Sequence, residues 1–171
     1  MRVSMNIQLK LAIIFLFLCV VPSVAQSVAL KEKPQNFQPN VEAVACFIRH
    51  EDKILLLHRQ DAKPQGSLWA APGGKIEKTE SPLQAARRET FEETGLQLQK
   101  NELSFVGKYY IKNEQSSCIL HVFEAHSQQK PVDIKLSIKE HKGFTWVTPE
   151  EALSMNLLPD EDILIKDVYP N

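Results

Sequence analysis

The sequence predicts an α/β fold, a mixed β-sheet with helices packed on it. Three observations point there. Short β-rich runs precede and follow one long helix with signals at both ends. Two further helical segments close the chain. No internal repeat or low-complexity tract suggests a solenoid or a disordered chain. At 171 residues the chain is about one domain, on a prior of roughly 150 residues each. Its net charge of −1 gives no basic excess of the kind that marks non-specific nucleic-acid binding.

Residues 1–25 read as a secretory signal peptide. Arg2 and Lys10 lie in a basic leader, Leu11 to Val21 is an apolar run of eleven residues, and Pro22 ends it. Ser23 and Ala25 supply small side chains at −3 and −1 for cleavage after Ala25. The run is shorter than the ~20 residues a spanning helix needs. The expected location is secreted or periplasmic, with an uncleaved signal anchor in the membrane as the alternative. After cleavage no stable membrane anchor is expected. Leu18 before Cys19 argues against a lipoprotein signal. Residues 26–40 are polar, carry Pro34 and Pro39, and read as a flexible linker. The domain is expected over residues 41–171.

Within it, Val41 to Ile48 is β-rich, Glu51 to Lys53 reads as a turn, and Ile54 to His58 as the second arm of a hairpin. Asp61 to Ser67, with Pro64 and Gly66, is a loop, and Leu68 to Ala71 a short strand. The helix is expected over Pro82 to Thr94. Ser81 is its N-cap, Pro82 takes N1, Gln84 completes a capping box, and Gly95 is placed for the left-handed C′ position. Leu103 to Ile111, Cys118 to Ala125 and Phe144 to Val147 read as strands. Pro149 to Met155 and Asp160 to Tyr169 read as helices. Cys46 and Cys118 sit in apolar strand-like runs, which favours two buried thiols.

The chemistry lies on the capped helix. Glu89, Glu92 and Glu93 are spaced i, i+3, i+4 and share one face. Like charges at that spacing repel, and acids are disfavoured at the negative end of the helix dipole. A broken local rule points to function. A bound cation would offset the cost, and oxygen-only ligands suit Mg²⁺, with Mn²⁺ also possible. The competing reading is a solvated acidic face. Ala85 and Ala86 beside the acids, and Gly73-Gly74-Lys75 just before the helix, weigh against it. Such a turn lets backbone approach a metal or phosphate, and Lys75 is placed to contact phosphate.

Gly74-x5-Glu80-x7-Arg88-Glu89-Thr90-x-Glu92-Glu93-x-Gly95-Leu96 resembles the Nudix box at every fixed position. Thr90, where a bulky aliphatic is usual, is the one departure. Leu55 to Arg59, Trp69 to Lys75 and Phe144 to Val147 resemble the flanking strands. The resemblance implies a Nudix-type α/β/α sandwich with a mixed β-sheet. It implies that Glu89, Glu92, Glu93 and the Gly74 carbonyl hold metal. Arg88 would orient the helix by pairing with Glu80 or Glu89. Glu140 resembles a further carboxylate from outside the box, against the plainer reading of a polar loop. Glu92, Glu93 and Glu140 are the candidate general bases.

The activity implied is metal-dependent hydrolysis of a diphosphate linkage in a nucleoside diphosphate derivative. That substrate is a nucleoside triphosphate, nucleotide sugar or dinucleotide, and the MutT-like group is the nearest resemblance. The partner is then a nucleotide-like small molecule, with no sequence-specific nucleic acid. Trp69 would stack on the base, or else pack in the core. Asp160 would read the base, or else cap a helix. The five histidines form no cluster in the sequence and read as strand or loop residues. The alternative function is a catalytically inactive nucleotide-binding or sensing module, which retention of every box acid disfavours.

Overall fold

The computed structural model describes residues 29–112, 117–126 and 133–170. The leader, residues 1–25, lies outside the described residues. Among the described residues seven strands form one mixed sheet: β1 Val41–His50, β2 Lys53–Arg59, β3 Trp69–Ala70, β4 Gly73–Lys75, β5 Leu103–Lys112, β6 Ser117–His126 and β7 His141–Val147. Among the same residues three α-helices accompany it: α1 Pro82–Thr94, α2 Pro149–Ala152 and α3 Glu161–Val168.

The β1–β2 hairpin splays, and that split builds the site. Near the turn the arms pair directly, Arg49 with Ile54 and His50 with Lys53. Further on, β1 pairs instead with β4, placing Val44 opposite Gly74, while β2 pairs with β3, placing His58 opposite Trp69. Outside them, β6 runs parallel to β1 and pairs antiparallel with β5, and β7 pairs antiparallel with β2. Residues 71–75 thus cross the gap between the two arms. The Cys46 N–H donates to the Pro72 carbonyl at 2.8 Å and fixes the crossing.

Helices cover both faces, which explains why β1 and β2 read as near-continuous apolar runs. Val44, Cys46, Ile48, Leu55 and Leu57 face α1 and pack on Ala85 and Ala86. Phe47, Ile54 and Leu56 point to the opposite face and meet Ala152, Leu164 and Ile165 of α2 and α3. The α/β/α sandwich is therefore the observed architecture.

Two expectations need correction. The linker expected over 26–40 is, from Ala29 onward, a strap docked on the sheet. Leu30 exchanges backbone hydrogen bonds with Tyr110 at 2.8 and 3.1 Å, and Phe37 is buried edge-on against the Tyr110 ring. Lys31 pairs with Asp167 at 2.6 Å. The strap has no periodicity, because its backbone bonds the sheet at scattered points, Leu30 to Tyr110 and Asn40 to Ser117, with Phe37 as an aromatic anchor between them. The second correction concerns length: the helix expected over Pro149 to Met155 is one turn, Pro149–Ala152. The cysteines are free thiols, Cys46 buried and Cys118 half-buried. On the parallel strands Cys118 pairs with Val41, and Cys46 with Phe123, so the two are well separated along the ladder.

Candidate active site

α1 begins and ends where its caps dictate. The Ser81 hydroxyl accepts from the Gln84 N–H at 3.3 Å, and Gln84 Oε1 accepts from the Ser81 N–H at 2.8 Å. Gly95 closes the helix at φ 74°, a left-handed geometry that favours glycine. Ala85 and Ala86, both fully buried, bring the helix close to β1 and β4. Glu89 and Glu93 of the last two turns then face the Gly73–Gly74 crossing.

Two of the acids share one donor, and the third has its own. Arg88 donates to Glu89 at 2.9 Å and to Glu92 at 3.2 Å. Its Nε and Nη2 grip Glu80 at 3.0 and 2.5 Å, and Nη2 also donates to the Lys75 carbonyl at 3.0 Å. So Arg88 pairs with Glu80 and Glu89 together, where the sequence left a choice. Glu93 is buried: the Gly73 N–H donates to its Oε2 at 2.9 Å, and His141 Nε2 contacts its Oε1 at 2.8 Å.

Glu89 lies flat against Gly74. A Cβ on Gly74 would fall on the Glu89 carboxyl group, so any larger residue there displaces an acid of the site. A Cβ on Gly73 would strike the Val44 carbonyl. Both glycines are dictated by close approach, not by φ. Burial pushes the Glu89 carboxyl above its usual range, with Arg88 pulling the other way and Glu93 and Glu92 adding to the rise.

Residues 39–170, which contain this whole arrangement, match the family model described as NUDIX domain. The chain belongs to the Nudix family. It is 34% identical over 128 residues to the CTP pyrophosphohydrolase of Escherichia coli (strain K12), covering 74% of this chain and 89% of that one. The MutT protein from Methanosarcina mazei Go1 aligns with a TM-score of 0.63 and 30% identity, over 75% of this chain and 91% of that one. A bifunctional NMN adenylyltransferase/ADP ribose pyrophosphatase from Francisella tularensis, solved with AMP and a manganese ion, aligns with a TM-score of 0.62 and 27% identity. That match spans 77% of this chain and 41% of the other. In class this Nudix protein is a pyrophosphohydrolase acting on phosphoric anhydrides.

The donor set of the Nudix box suits a hard divalent cation: carboxylate oxygens plus a glycine carbonyl. The glycine cradle under Glu89 is the observation that fits a bound ion, because it lets carboxylate and main chain approach together. Among the described residues no three His, Cys, Asp or Glu side chains converge on one point as they stand. Arg88 and the Glu93 partners hold the acids apart, as expected when three like charges have only protein donors to satisfy them.

The remaining sequence-selected residues are spread around this centre. Thr90, the departure from the box, is fully buried next to Cys46, so it serves packing. Glu140 pairs with Lys63 at 2.6 Å on the surface beside His141, and Lys63 holds its carboxyl below the usual range. Lys75 is exposed on β4. Trp69 stacks on His58 with centroids 4.2 Å apart and packs against the α3 face of the core. Asp160 precedes α3 at φ 70°, but its side chain makes no cap; its Oδ1 accepts from the Ala29 N–H of the strap at 3.2 Å.

Sequence reasoning missed two residues. His141, read as a strand or loop residue, touches Glu93. Glu161 is buried, and its Oε1 accepts from the Ala71 N–H at 2.7 Å, just ahead of the glycine crossing. Burial pushes the Glu161 carboxyl up to about 7, against the pull of the Ala71 amide. The signal for Glu161 was its position beside Asp160 at the start of a helix; nothing local marked His141.

Proposed function

We propose that this enzyme hydrolyses the diphosphate linkage of a nucleoside triphosphate, using Mg²⁺ and accepting Mn²⁺. The observation that carries the reading is the packing of Glu89 and Glu93 against the Gly73–Gly74 crossing, with Glu92 drawn toward them by Arg88. That packing sets two carboxylates directly against the main chain of the crossing. The triphosphate preference rests on the likeness to the CTP pyrophosphohydrolase. CTP is therefore the first substrate to test, before nucleotide sugars and dinucleotides.

Glu89, Glu92, Glu93 and the Gly74 carbonyl would hold the metal. When bound, divalent cations polarise phosphoryl oxygens, lower the pKa of the attacking water and neutralise leaving-group charge. Arg88 keeps Glu89 and Glu92 in place against the β4 turn. Lys75, exposed on that turn, contacts substrate phosphate. The proton of the attacking water goes to a carboxylate. Glu93 is bound by protein donors on both oxygens, which favours Glu92 and Glu140 as bases. Trp69 and Asp160, with Glu161 beside them, make up the base-binding end.

We also propose that the mature protein begins at Gln26 after export, and acts on nucleotides outside the cytoplasm. Among the described residues no helix is long and apolar enough to cross a membrane. The test of function is a screen of the protein with Mg²⁺ against CTP and other triphosphates, nucleotide sugars, dinucleotides and capped RNA. Product from CTP only when divalent cation is added supports the proposal. Nucleotide binding with no product would support the sensing module instead.

A further inference from the structure

We infer that His141 is a positioning residue for the Nudix metal site, holding the Glu93 carboxylate by a hydrogen bond from its Nε2–H. The inference rests on the reading of the helix acids as metal ligands. His141 opens β7 and is 3% exposed. Its Nε2 lies 2.8 Å from Glu93 Oε1, and its Nδ1 is buried with no hydrogen-bond partner among the described residues. A carboxylate oxygen only accepts, so Nε2 carries the proton. A bare lone pair at Nδ1 is then the smaller cost, because an orphaned N–H would be the alternative.

The approach to His141 is fixed as firmly as the contact. The Lys135 N–H donates to the Thr94 carbonyl at 2.8 Å, and the Ser137 N–H to the Glu93 carbonyl at 3.0 Å. The His141 N–H then donates to the Ser137 carbonyl at 2.9 Å. These bonds satisfy carbonyls at the end of α1 and carry the chain to a position from which the His141 imidazole reaches Glu93. With Gly73 on the other oxygen, Glu93 is gripped from β4 and β7 at once. Each oxygen keeps a lone pair for a cation, while rotation of the carboxylate is blocked. Glu92, by contrast, has a side chain 56% exposed and is held by Arg88 at 3.2 Å. The site therefore combines a buried acid gripped on both oxygens with an exposed one held through Arg88.

The test uses Mn²⁺ alone, titrated into substrate-free protein and followed by paramagnetic resonance of the free ion, with CTP turnover measured alongside. His141→Phe removes the donor and His141→Gln returns one at similar reach. The inference expects His141→Phe to weaken Mn²⁺ binding and lower kcat, each by roughly 10- to 100-fold. It expects His141→Gln to recover most of both, with KM for CTP little changed. A folded His141→Phe protein with an unchanged Mn²⁺ midpoint would overturn it. So would His141→Gln performing no better than His141→Phe. If His141→Phe does not fold, the comparison passes to His141→Gln and the shorter His141→Asn; equal Mn²⁺ affinities there contradict the inference. Wild-type protein that binds no Mn²⁺ defeats the metal-site reading and this inference with it. Wild-type binding that survives His141→Phe defeats this inference alone.

Discussion

Arg88 and Glu80 form a two-point ion pair, Nε to Oε2 at 3.0 Å and Nη2 to Oε1 at 2.5 Å. The same guanidinium reaches Glu89, Glu92 and the Lys75 carbonyl, so one side chain ties the loop before α1 to the acids at its end. A lysine has a single ammonium and no planar fork. Arg88→Lys should therefore lower kcat by roughly 10- to 100-fold, the scale of lost outer-shell partners. Steady-state kinetics against thermal melting checks this: activity should fall much more than stability. Arg88 also holds the Glu80 carboxyl below its usual range. A depressed acid stabilises above its unfolded pKa, and that contribution disappears as pH falls through the folded value. The pair should weaken only in acid, below about pH 4.

Glu161 behaves in the opposite sense. Its carboxyl is pushed up from 4.5 to about 7 by burial, so the native state holds a proton the unfolded chain has released. Stability from this group is full below pH 4.5 and declines as pH rises to 7, then stays low. Glu161→Gln keeps an acceptor for the Ala71 N–H without the charge. It should raise the melting temperature by several degrees at pH 8 and change it little at pH 4. Melting curves at the two values decide the matter; an equal shift at both would contradict the assignment.

Glu89 carries the same sign beside a cation. Its carboxyl is raised by burial and by Glu93 and Glu92. At neutral pH Glu89→Gln should raise the melting temperature of metal-free protein. It should also shrink the rise produced by millimolar Mg²⁺, because an ion that binds only the native state stabilises by mass action. Thermal scans with and without Mg²⁺ test both halves.

The strap supplies a prediction of a different kind. Deleting residues 26–40 removes Phe37 from Tyr110, Leu30 from the β5 edge, Lys31 from Asp167 and the Ala29 N–H from Asp160. Loss of one buried aromatic alone costs about 3–5 kcal/mol. The shortened chain should melt well below the full domain. An unchanged melting temperature would restore the reading of this segment as a tether.

The contrast between α1 and the strap shows what was legible. The limits of α1 were readable to the residue, because Ser81, Gln84 and Gly95 satisfy orphan backbone groups through neighbours three and four positions away. The box acids were readable for the same reason, since helical spacing puts Glu89, Glu92 and Glu93 together. β4 was not, as Gly73 and Gly74 have poor strand propensity and pair only because β1 offers them an edge. His141 reaches Glu93 across 48 residues, and Asp160 reaches Ala29 across 131. No local pattern encodes either contact; both follow from the splayed hairpin and the path of the chain around it.

Processing of the leader is tested by N-terminal sequencing of exported protein. Cleavage after Ala25 should give Gln26 as the first residue, and Ala25→Arg should block it by removing the small side chain at −1. A full-length N-terminus on a membrane-bound product would favour the signal anchor instead.

The most direct test of the account is CTP hydrolysis by Glu92→Gln with Mg²⁺ present. The Glu92 side chain is 56% exposed and pairs with Arg88, so the substitution removes charge with little cost to the fold. The account predicts a kcat loss of at least about 100-fold, on the scale of a lost electrostatic stabiliser, with melting temperature within a few degrees of wild type. Turnover near wild type in that variant, or wild-type turnover that persists in excess chelator, would contradict it.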